Sequence, residues 1–267
     1  MFAVFKRERF AMKIALCTIA FRDRPFEAVL DLAVRAGFDG VEPWGKPDHM
    51  PAVYDADYVR WASAAIRKRG LAVSQYGSYA NPTSGAFAQE MEDALKIARD
   101  LGTDKIRIWA GQNGSAEAAE GEWETAISGF RAFSDRAGEQ GATLAVEMHD
   151  GYLSDTARSC LRLLEGVDRP NFRLNFQPMY THGPGRVLEE LGKVAGHVTT
   201  VHAQNYTEAG SSGRSLIAEG FVDYAAVVAK LREAGFDGYL EVEFVREENP
   251  EEALRADAKF LRSLCEG

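Results

Sequence analysis

The feature that most constrains the fold of this 267-residue chain is an alternation of short apolar segments with longer amphipathic segments, repeated eight times from residue 12 onward. The short segments have the length of β-strands, and the longer ones have the apolar spacing of helices. The predicted strands are residues 13–18, a segment ending at 42, 71–76, 105–110, 143–147, 172–176, 197–203 and 238–244. The predicted helices are residues 25–36, 55–69, a segment ending at 101, 116–139, a segment from 154, 186–194, 222–234 and a segment from 250. Most strands are apolar on both faces, which is typical of parallel strands that helices cover.

Eight such strand and helix units favour closure into a barrel. They fill the chain, and no linker rich in proline, glycine or serine divides it. A doubly wound open sheet is the alternative, but it usually has fewer strands and often a second domain. We therefore predict one α/β domain, a (β/α)8 TIM barrel over residues 12–267. Residues 1–11 are predicted to be an N-terminal extension before a natural start near Met12.

Charge and cysteine content exclude several classes of function. The chain has 31 Lys and Arg against 40 Asp and Glu, a formal net charge of -9, which argues against a general nucleic-acid binder. Its three cysteines form no Cys-x-x-Cys pair, so we expect a reducing compartment without a disulfide framework. No apolar run is long enough to cross a bilayer, and residues 1–11 are too short and too charged for a secretory signal. The expected location is the cytoplasm.

Polar and aromatic side chains cluster at the C-terminal ends of the predicted strands. In a closed barrel these ends meet at one mouth, so residues far apart in sequence come together. The residues at or just after the strand ends are Glu42, Trp44, Gln75, Trp109, Glu147, His149, Gln177, Tyr180, His202, Gln204 and Glu243. Carboxylates and imidazoles in one cup supply ligands for a divalent cation and groups for acid/base catalysis.

Two glutamates and one histidine are the strongest candidates. Glu147 follows three apolar strand residues, where a carboxylate is costly to bury without a cation or a donor beside it. The alternative for Glu147 is exposure at the strand end or a pairing with an arginine. Glu243 follows the same reasoning, but Glu241 is a rival because either register could face inward. A lone histidine such as His202 is more often a packed, hydrogen-bonded residue than a metal ligand. Only the nearby glutamates favour the interpretation of His202 as a ligand.

The remaining polar and aromatic residues at the strand ends admit structural as well as functional interpretations. Glu42 is either catalytic, substrate-binding or bonded to a neighbouring strand. His149 either faces the substrate or supports another side chain. Trp44 and Trp109 form either an apolar wall suited to a sugar ring or ordinary packing at the rim of the barrel.

At these residues the sequence resembles the sugar phosphate isomerase/epimerase superfamily, whose fold is the xylose isomerase-like TIM barrel. In the expected order along the chain, the similar stretches are residues 36–45, 144–156, 169–180, 197–206 and 235–244. The resemblance implies one divalent metal ion, held by a glutamate, an aspartate, a histidine and a glutamate after four successive strands. Glu147, His202 and Glu243 match three of these positions.

The sequence departs from the family pattern at the remaining ligand. Where the family has Asp-x-x-His, this chain has Gln177 and Tyr180, and the usual Lys and Asp after the histidine are Gln204 and Asn205. An amide oxygen can ligate Mg²⁺ or Mn²⁺ but contributes a dipole instead of a full charge, so metal affinity should fall and Lewis acidity should rise. Unless the site has lost its metal, the resemblance implies one divalent cofactor (Mn, Mg, Co or Zn) bound by Glu147, Gln177, His202 and Glu243.

We expect an isomerase or epimerase that acts on a small sugar or polyol-type molecule, with Glu147 and Glu243 as its catalytic residues. In the epimerases that the chain resembles, two glutamates act as acid/base partners on opposite sides of a ketose, and a metal stabilises the enediolate. Dehydration of a keto-inositol by a related lyase would use the same groups. The predicted substrate-binding residues are Glu42, Trp44, Gln75, Trp109, His149, Tyr180 and Gln204.

Two other functions are alternatives to this expectation. The neutral replacements around the metal position also suit a sugar-binding or regulatory barrel that has lost turnover. Phosphodiester hydrolysis by a three-zinc cluster would need several histidines at the site, and a total of five histidines in the chain disfavours it. His182 could still reach the site as a replacement ligand. No glycine-rich phosphate cradle is evident, and Arg214 and Arg246 are expected to be solvated. The expected partner is a small molecule, with no nucleic acid and no membrane, and assembly into a homo-oligomer stays open.

Overall fold

Parallel strands follow one another around a nearly closed ring with helices on its outside, in a computed structural model that describes residues 12–51, 53–179 and 181–267. The strands are β1 (Lys13–Cys17), β2 (Gly40–Glu42), β3 (Ala72–Val73), β4 (Tyr76–Gly77), β5 (Lys105–Ile108), β6 (Thr143–Glu147), β7 (Phe172–Phe176), β8 (Val198–Ala203) and β9 (Tyr239–Val242). The helices are α1 (Phe26–Ala36), α2 (Ala56–Lys68), α3 (Phe87–Leu101), α4 (Glu120–Gly138), α5 (Ala157–Val167), α6 (Pro184–Val194), α7 (Tyr224–Glu233) and α8 (Pro250–Glu266). The predicted (β/α)8 barrel is confirmed. The predicted extension, residues 1–11, lies outside the described residues.

The ring closes at the third predicted strand, which is two short strands instead of one over residues 71–76. β3 pairs with β2 on one side, whereas β4 pairs with β5 on the other. Beyond the end of β2, Trp44 forms a parallel bridge with Gly77, and the Gly45 amide donates to the Gly77 carbonyl at 3.0 Å. A Cβ atom at Gly45 would lie 2.5 Å from that carbonyl oxygen, so this approach requires a glycine. We call this stretch, from β2 to β4, the seam.

Amphipathic helices cover the outer face of the ring and form the apolar core with it. The predicted glycine stop after the first helix is present, since Gly37 ends α1 in the left-handed conformation with φ 82°. The helix predicted from residue 154 begins later, at Ala157. The Thr156 hydroxyl accepts a hydrogen bond from the Ser159 amide at 3.1 Å and caps α5 at this point.

The inner face of the ring is unusually polar. In many barrels this space is filled by Val, Ile and Leu. Here the register sets His202 of β8 opposite Glu241 of β9, and Glu147 of β6 opposite Asn175 of β7. The buried polar residues of the inner face include Glu42, Gln75, Arg107, Glu147, Asn175, Thr200, His202 and Glu241. A polar interior of this extent indicates that the functional site reaches down into the barrel.

The last helix returns to the first two strands and joins the ends of the fold. Arg262 of α8 donates to both carboxylate oxygens of Asp39, at 3.0 and 2.9 Å. Asp39 also accepts a hydrogen bond from the Ile14 amide at 2.9 Å. This link joins residues 223 positions apart in the chain. None of the described helices is long and apolar enough to cross a membrane.

Candidate active site

The ring of His202 lies among four glutamates at the C-terminal end of the barrel. Its Nδ1 atom is 3.2 Å from Glu147 Oε1 and 3.4 Å from Glu243 Oε1. Its Nε2 atom is 2.7 Å from Glu42 Oε2 and 3.8 Å from Glu241 Oε2. One ligand atom from each of Glu147, His202 and Glu243 can be chosen so that all lie within 4.8 Å of one another. The structure therefore brings together the three residues that the sequence singled out.

The electrostatics of the cluster follow from its burial and its two cations. Burial would lower the pKa of His202, but the surrounding carboxylates raise it well above the usual value, so the ring is an imidazolium when no metal is bound. Burial would raise the pKa of Glu147, but Arg107 and His202 lower it to about 2. The pKa of Glu42 is lowered in the same way, mainly by His202, against the effect of burial. The metal-free site is thus an ionic cluster.

Arg107 is the central residue that sequence reasoning missed. It is buried on β5, with Nη1 3.0 Å from Glu147 Oε2 and Nε 3.5 Å from Glu42 Oε1. Its guanidinium also lies 5.2 Å from the centre of the Trp109 ring. A signal was available in the sequence: Arg107 is two residues before Trp109, so it lies on the same face of the strand as a residue already assigned to the mouth.

An aromatic wall lines one side of the mouth. Trp44 Nε1 donates a hydrogen bond to the Tyr79 hydroxyl at 2.8 Å. The Tyr79 ring stacks on that of Trp109, with centroids 5.6 Å apart and planes 15° apart. His149 extends the wall, its ring centroid 5.0 Å from that of Trp109. Tyr79 was not predicted, yet it connects the two tryptophans that were.

Gln177 faces the two glutamates on the Nδ1 side of His202. One terminal atom of its amide lies 2.8 Å from Glu147 Oε1 and 3.2 Å from Glu243 Oε2. As an NH₂ group, this atom donates a hydrogen bond to each carboxylate. As a carbonyl oxygen, it completes a set of converging oxygens that only a cation could hold together. A 180° rotation of the Gln177 amide, which exchanges its nitrogen and oxygen, would therefore suit it to both the metal-free and the metal-bound state.

Gln204 holds Glu243 in place. Its Nε2 donates to Glu243 Oε2 at 2.9 Å, and its Oε1 accepts a hydrogen bond from the Tyr206 hydroxyl at 2.9 Å. The backbone of Gln204 is bonded to the Tyr224 hydroxyl through both its amide and its carbonyl, each at 2.9 Å. Its predicted contact with substrate stays a prediction, and the contact that the structure describes is the hydrogen bond to Glu243.

A second polar layer lies beneath the glutamates at the mouth. Gln75 is buried there, donating to Glu241 Oε2 at 2.6 Å and to Glu42 Oε2 at 3.3 Å, and accepting from the Thr200 hydroxyl at 3.1 Å. Glu241 and Glu243 are not alternatives for the inward position, as the sequence had suggested. Both are buried, and because they are two residues apart they share one face of the strand, with Glu241 the deeper. Burial raises the pKa of Glu241 well above its usual value, and Glu42 raises it further.

Other residues named from the sequence lie apart from this cluster. Tyr180 lies outside the described residues. His182 lines a small pocket beside Gln177, but the groups of candidate metal ligands found among the described residues do not include it. The guanidinium of Arg214 lies over the Phe244 ring at 3.8 Å, whereas Arg246 Nε donates a hydrogen bond to the Glu248 carbonyl at 3.5 Å.

Comparisons with known proteins agree with the barrel fold and identify its family. A family model described as the xylose isomerase-like TIM barrel matches residues 30–264. A 3-dehydroshikimate dehydratase of Bacillus anthracis is 25% identical over 94% of this chain and 96% of its own length. An inosose dehydratase of Geobacillus thermodenitrificans is 24% identical over 90% of both chains. The relatives include dehydratases and isomerases.

Solved structures show the same barrel. That of a probable 3-dehydroshikimate dehydratase of Bacillus anthracis superposes with a TM-score of 0.79 at 23% identity, covering 94% of this chain and 98% of the other. A xylose isomerase-like TIM barrel protein of Mycobacterium smegmatis, determined in complex with magnesium, superposes with a TM-score of 0.75 at 18% identity, covering 95% and 96%. Another similar barrel, the IOLI protein, binds a zinc atom, with a TM-score of 0.77 at 18% identity, covering 95% and 98%. At these identities the likeness concerns the fold.

Proposed function

Because the chain belongs to the xylose isomerase-like TIM barrel family, we propose that it is an enzyme that removes a proton from a carbon next to a carbonyl group in a small polyhydroxylated substrate. The observation that carries this proposal is the pair Glu147 and Glu243, both buried and both on the Nδ1 side of His202. Two carboxylates at one site can divide the work of acid and base. Isomerisation, epimerisation and dehydration all begin with this proton transfer.

The donor set fits a divalent cation held by Glu147, Gln177, His202 and Glu243. Among the described residues, His202 and Arg107 are the cations that pair with this cluster, and Glu42, Glu147 and Glu243 outnumber them, so the metal-free pocket stays negative. Glu147 Oε1, Glu243 and the Gln177 amide converge on one side of the His202 ring, whereas Glu147 Oε2 is paired with Arg107 Nη1 at 3.0 Å. Oxygen ligands with one imidazole suit Mg²⁺ or Mn²⁺, although Co²⁺ and Zn²⁺ stay open. When bound, such a cation stabilises negative charge that develops on a substrate oxygen.

The chain's own residues then perform the proton transfers. One of the two glutamates accepts the proton from carbon, and the other donates a proton to the opposite face or to a departing hydroxyl group. Gln204 keeps Glu243 in one orientation, and the aromatic wall of Trp44, Tyr79 and Trp109 offers apolar faces to the carbons of the substrate. Buried groups held in this way need little rearrangement as charge develops.

The fate of the second proton separates two outcomes. Return of the proton to carbon gives an isomerase or epimerase, which is the first expectation. Delivery to a hydroxyl group gives a dehydratase, and the similarity to two dehydratases over 94% and 90% of this chain favours this as the second candidate. A sugar-binding barrel without turnover is the third, because Arg107 already gives Glu147 a partner without a metal.

Metal analysis of the purified protein, followed by Mn²⁺ titration of the wild type and Glu147→Gln, tests the proposal. The exposed Glu219→Gln supplies the same change of charge as a control. We expect one equivalent of metal in the wild type and in the control, and much weaker binding in Glu147→Gln. Incubation with ketoses, 2-oxo acids and hydroxylated cyclic ketones in heavy water should show deuterium in the epimer or isomer, or a dehydrated product. We expect Glu147→Gln to slow this turnover by at least about 100-fold.

If neither protein holds metal at millimolar Mn²⁺ and no substrate exchanges its carbon-bound hydrogen, the chemistry proposed here is wrong. Retained sugar binding under those conditions would establish the binding barrel instead.

A further inference from the structure

Cys17 is a buried thiol in the active-site cluster that the proposed chemistry does not use. It is the last residue of β1 and is 1% exposed. The parallel register places it opposite Glu42 on β2. Its neighbours there are charged groups, whereas a structural cysteine usually lies among apolar side chains.

Cys17 completes a second group of candidate ligand atoms around His202. Its Sγ atom, one oxygen of Glu42 and one nitrogen of His202 all lie within 4.8 Å of one another. The group shares only His202 with the Glu147, His202 and Glu243 set. All three residues of the group are buried. Within it, Glu42 Oε2 lies 2.7 Å from His202 Nε2, whereas Glu42 Oε1 has only the longer ion pair to Arg107 Nε, at 3.5 Å, and accepts no hydrogen bond from the part of the chain that is described. Buried donors without a full set of hydrogen bonds gain most from a cation.

We propose that Cys17, Glu42 and His202 form a second cation site that binds thiophilic divalent ions such as Zn²⁺ and Cd²⁺ and rejects Mg²⁺. Sulfur, nitrogen and a single carboxylate oxygen are the donors that Zn²⁺ prefers, whereas Mg²⁺ requires oxygen. On binding, bonds form from the metal to Cys17 Sγ, to one ring nitrogen of His202 and to one oxygen of Glu42, and the thiol and the imidazolium each release one proton to solvent. No electron is transferred.

Occupation of this site should inhibit the enzyme, a consequence that rests on the proposed function. A thiophilic ion bound to Glu42 and His202 would disrupt the hydrogen bond between Glu42 Oε2 and His202 Nε2. It would also place positive charge beside Arg107 and oppose the binding of the first cation. Inhibition by Cd²⁺ should therefore persist when Mg²⁺ is in excess.

Cd²⁺ titration of the metal-free protein, followed by the ultraviolet charge-transfer absorption of a thiolate–Cd²⁺ bond, tests the site directly. We expect the band in the wild type, in Cys160→Ala and in Cys265→Ala, which remove the other two cysteines one at a time. Cys17→Ser should lose the band and bind Cd²⁺ at least about 100-fold more weakly. Circular dichroism confirms that each variant is folded.

Two results would overturn the second site: no band in the wild type, or a band that survives in Cys17→Ser and disappears with one of the other cysteines. The variants identify the ligand even if Cys17→Ser fails to fold. A band that is retained in both Cys160→Ala and Cys265→Ala leaves Cys17 as the thiolate that binds Cd²⁺. Failure of the proposed function looks different. In that case Mn²⁺ binding and turnover are absent while the thiolate band remains.

Discussion

Glu42 is fully buried and contacts His202, Gln75 and Arg107. Its buried carboxylate lies 2.7 Å from His202 Nε2. A carboxylate behind a ligating histidine fixes the tautomer and raises the basicity of the ring. We expect Glu42→Gln to weaken Mn²⁺ binding at the first site by about 10–100-fold. Isothermal titration calorimetry measures this directly.

Glu241→Gln is the matched control for Glu42→Gln. Glu241 is just as buried and approaches the same nitrogen, but only to 3.8 Å, and burial together with Glu42 raises its pKa. A neutral amide should therefore replace it with little effect on Mn²⁺ affinity. Equal losses in the two variants would show that general charge, and not the orientation of His202, determines affinity.

Arg107 replaces part of the charge that a metal would supply. Removing one partner of a buried ion pair leaves the other carboxylates uncompensated, so we expect Arg107→Gln to lose about 3–5 kcal/mol of stability without metal. Because the pocket then becomes more negative, saturating Mn²⁺ should raise the melting temperature of the variant more than that of the wild type. Scanning calorimetry of both proteins with and without Mn²⁺ measures these increments. Equal increments would contradict the role assigned to Arg107.

At the residue scale, the sequence predicted the site residues that are defined by their position at a strand end. It missed those whose importance comes from the side chains opposite them on neighbouring strands. Glu147, His202 and Glu243 could be brought together because the C-terminal ends of barrel strands meet. Arg107, Tyr79 and Cys17 could not be ranked in the same way. Their importance depends on which strand lies opposite them, which a linear pattern of hydropathy does not contain.

At the scale of elements, α8 anchors the loop that follows β8. Asp257 of α8 is 1% exposed, and its Oδ1 accepts a hydrogen bond from the Ile217 amide at 2.7 Å. Oδ2 accepts none from the residues that the structure describes. Burial raises the pKa of Asp257 to about 7, and the Ile217 amide offsets this only in part. The carboxyl is therefore neutral in the folded protein over much of the acidic range.

Asp257→Asn should change how stability depends on pH. The folded pKa of about 7 exceeds the ordinary value of 3.8, so the wild type loses stability as pH rises from about 4 to about 7, by at most about 4 kcal/mol. The asparagine keeps an acceptor for Ile217 and does not ionise. Its advantage in urea unfolding should grow across this window and stay constant above it. Asp48→Asn, at an exposed position, should show no such growth.

Element boundaries show where local sequence signals are sufficient and where neighbours decide. The start of α7 at Tyr224 follows the Asp223 side chain, which accepts a hydrogen bond from the Ala226 amide at 3.1 Å, two residues later than predicted. A cap of this kind is readable in the sequence. The division of the third strand is not, because it arises from pairing with β2 at one end and β5 at the other.

At the scale of the whole molecule, the barrel followed from the count of eight units, but its closure depends on contacts between distant segments. Arg262 and Asp39 form one of these. We expect Arg262→Ala to lower the free energy of unfolding by about 1–3 kcal/mol, since the half-exposed pair also carries the Ile14 amide. Urea unfolding measures the loss. Arg255→Ala, exposed on the same helix, should have no comparable effect.

The seam determines how the folded molecule fluctuates. β3 and β4 are each two residues long, so fewer hydrogen bonds hold the ring there than between β6 and β7. Segments with few bonds open with the least free energy, and amides of residues 72–77 should exchange with deuterated solvent before those of β6. Gln75 lies between β3 and β4, in contact with Glu42 and Glu241. Brief openings of the seam would therefore give water a lateral route to the buried carboxylates, so that the interior could be wetted and could exchange protons while a substrate blocks the mouth.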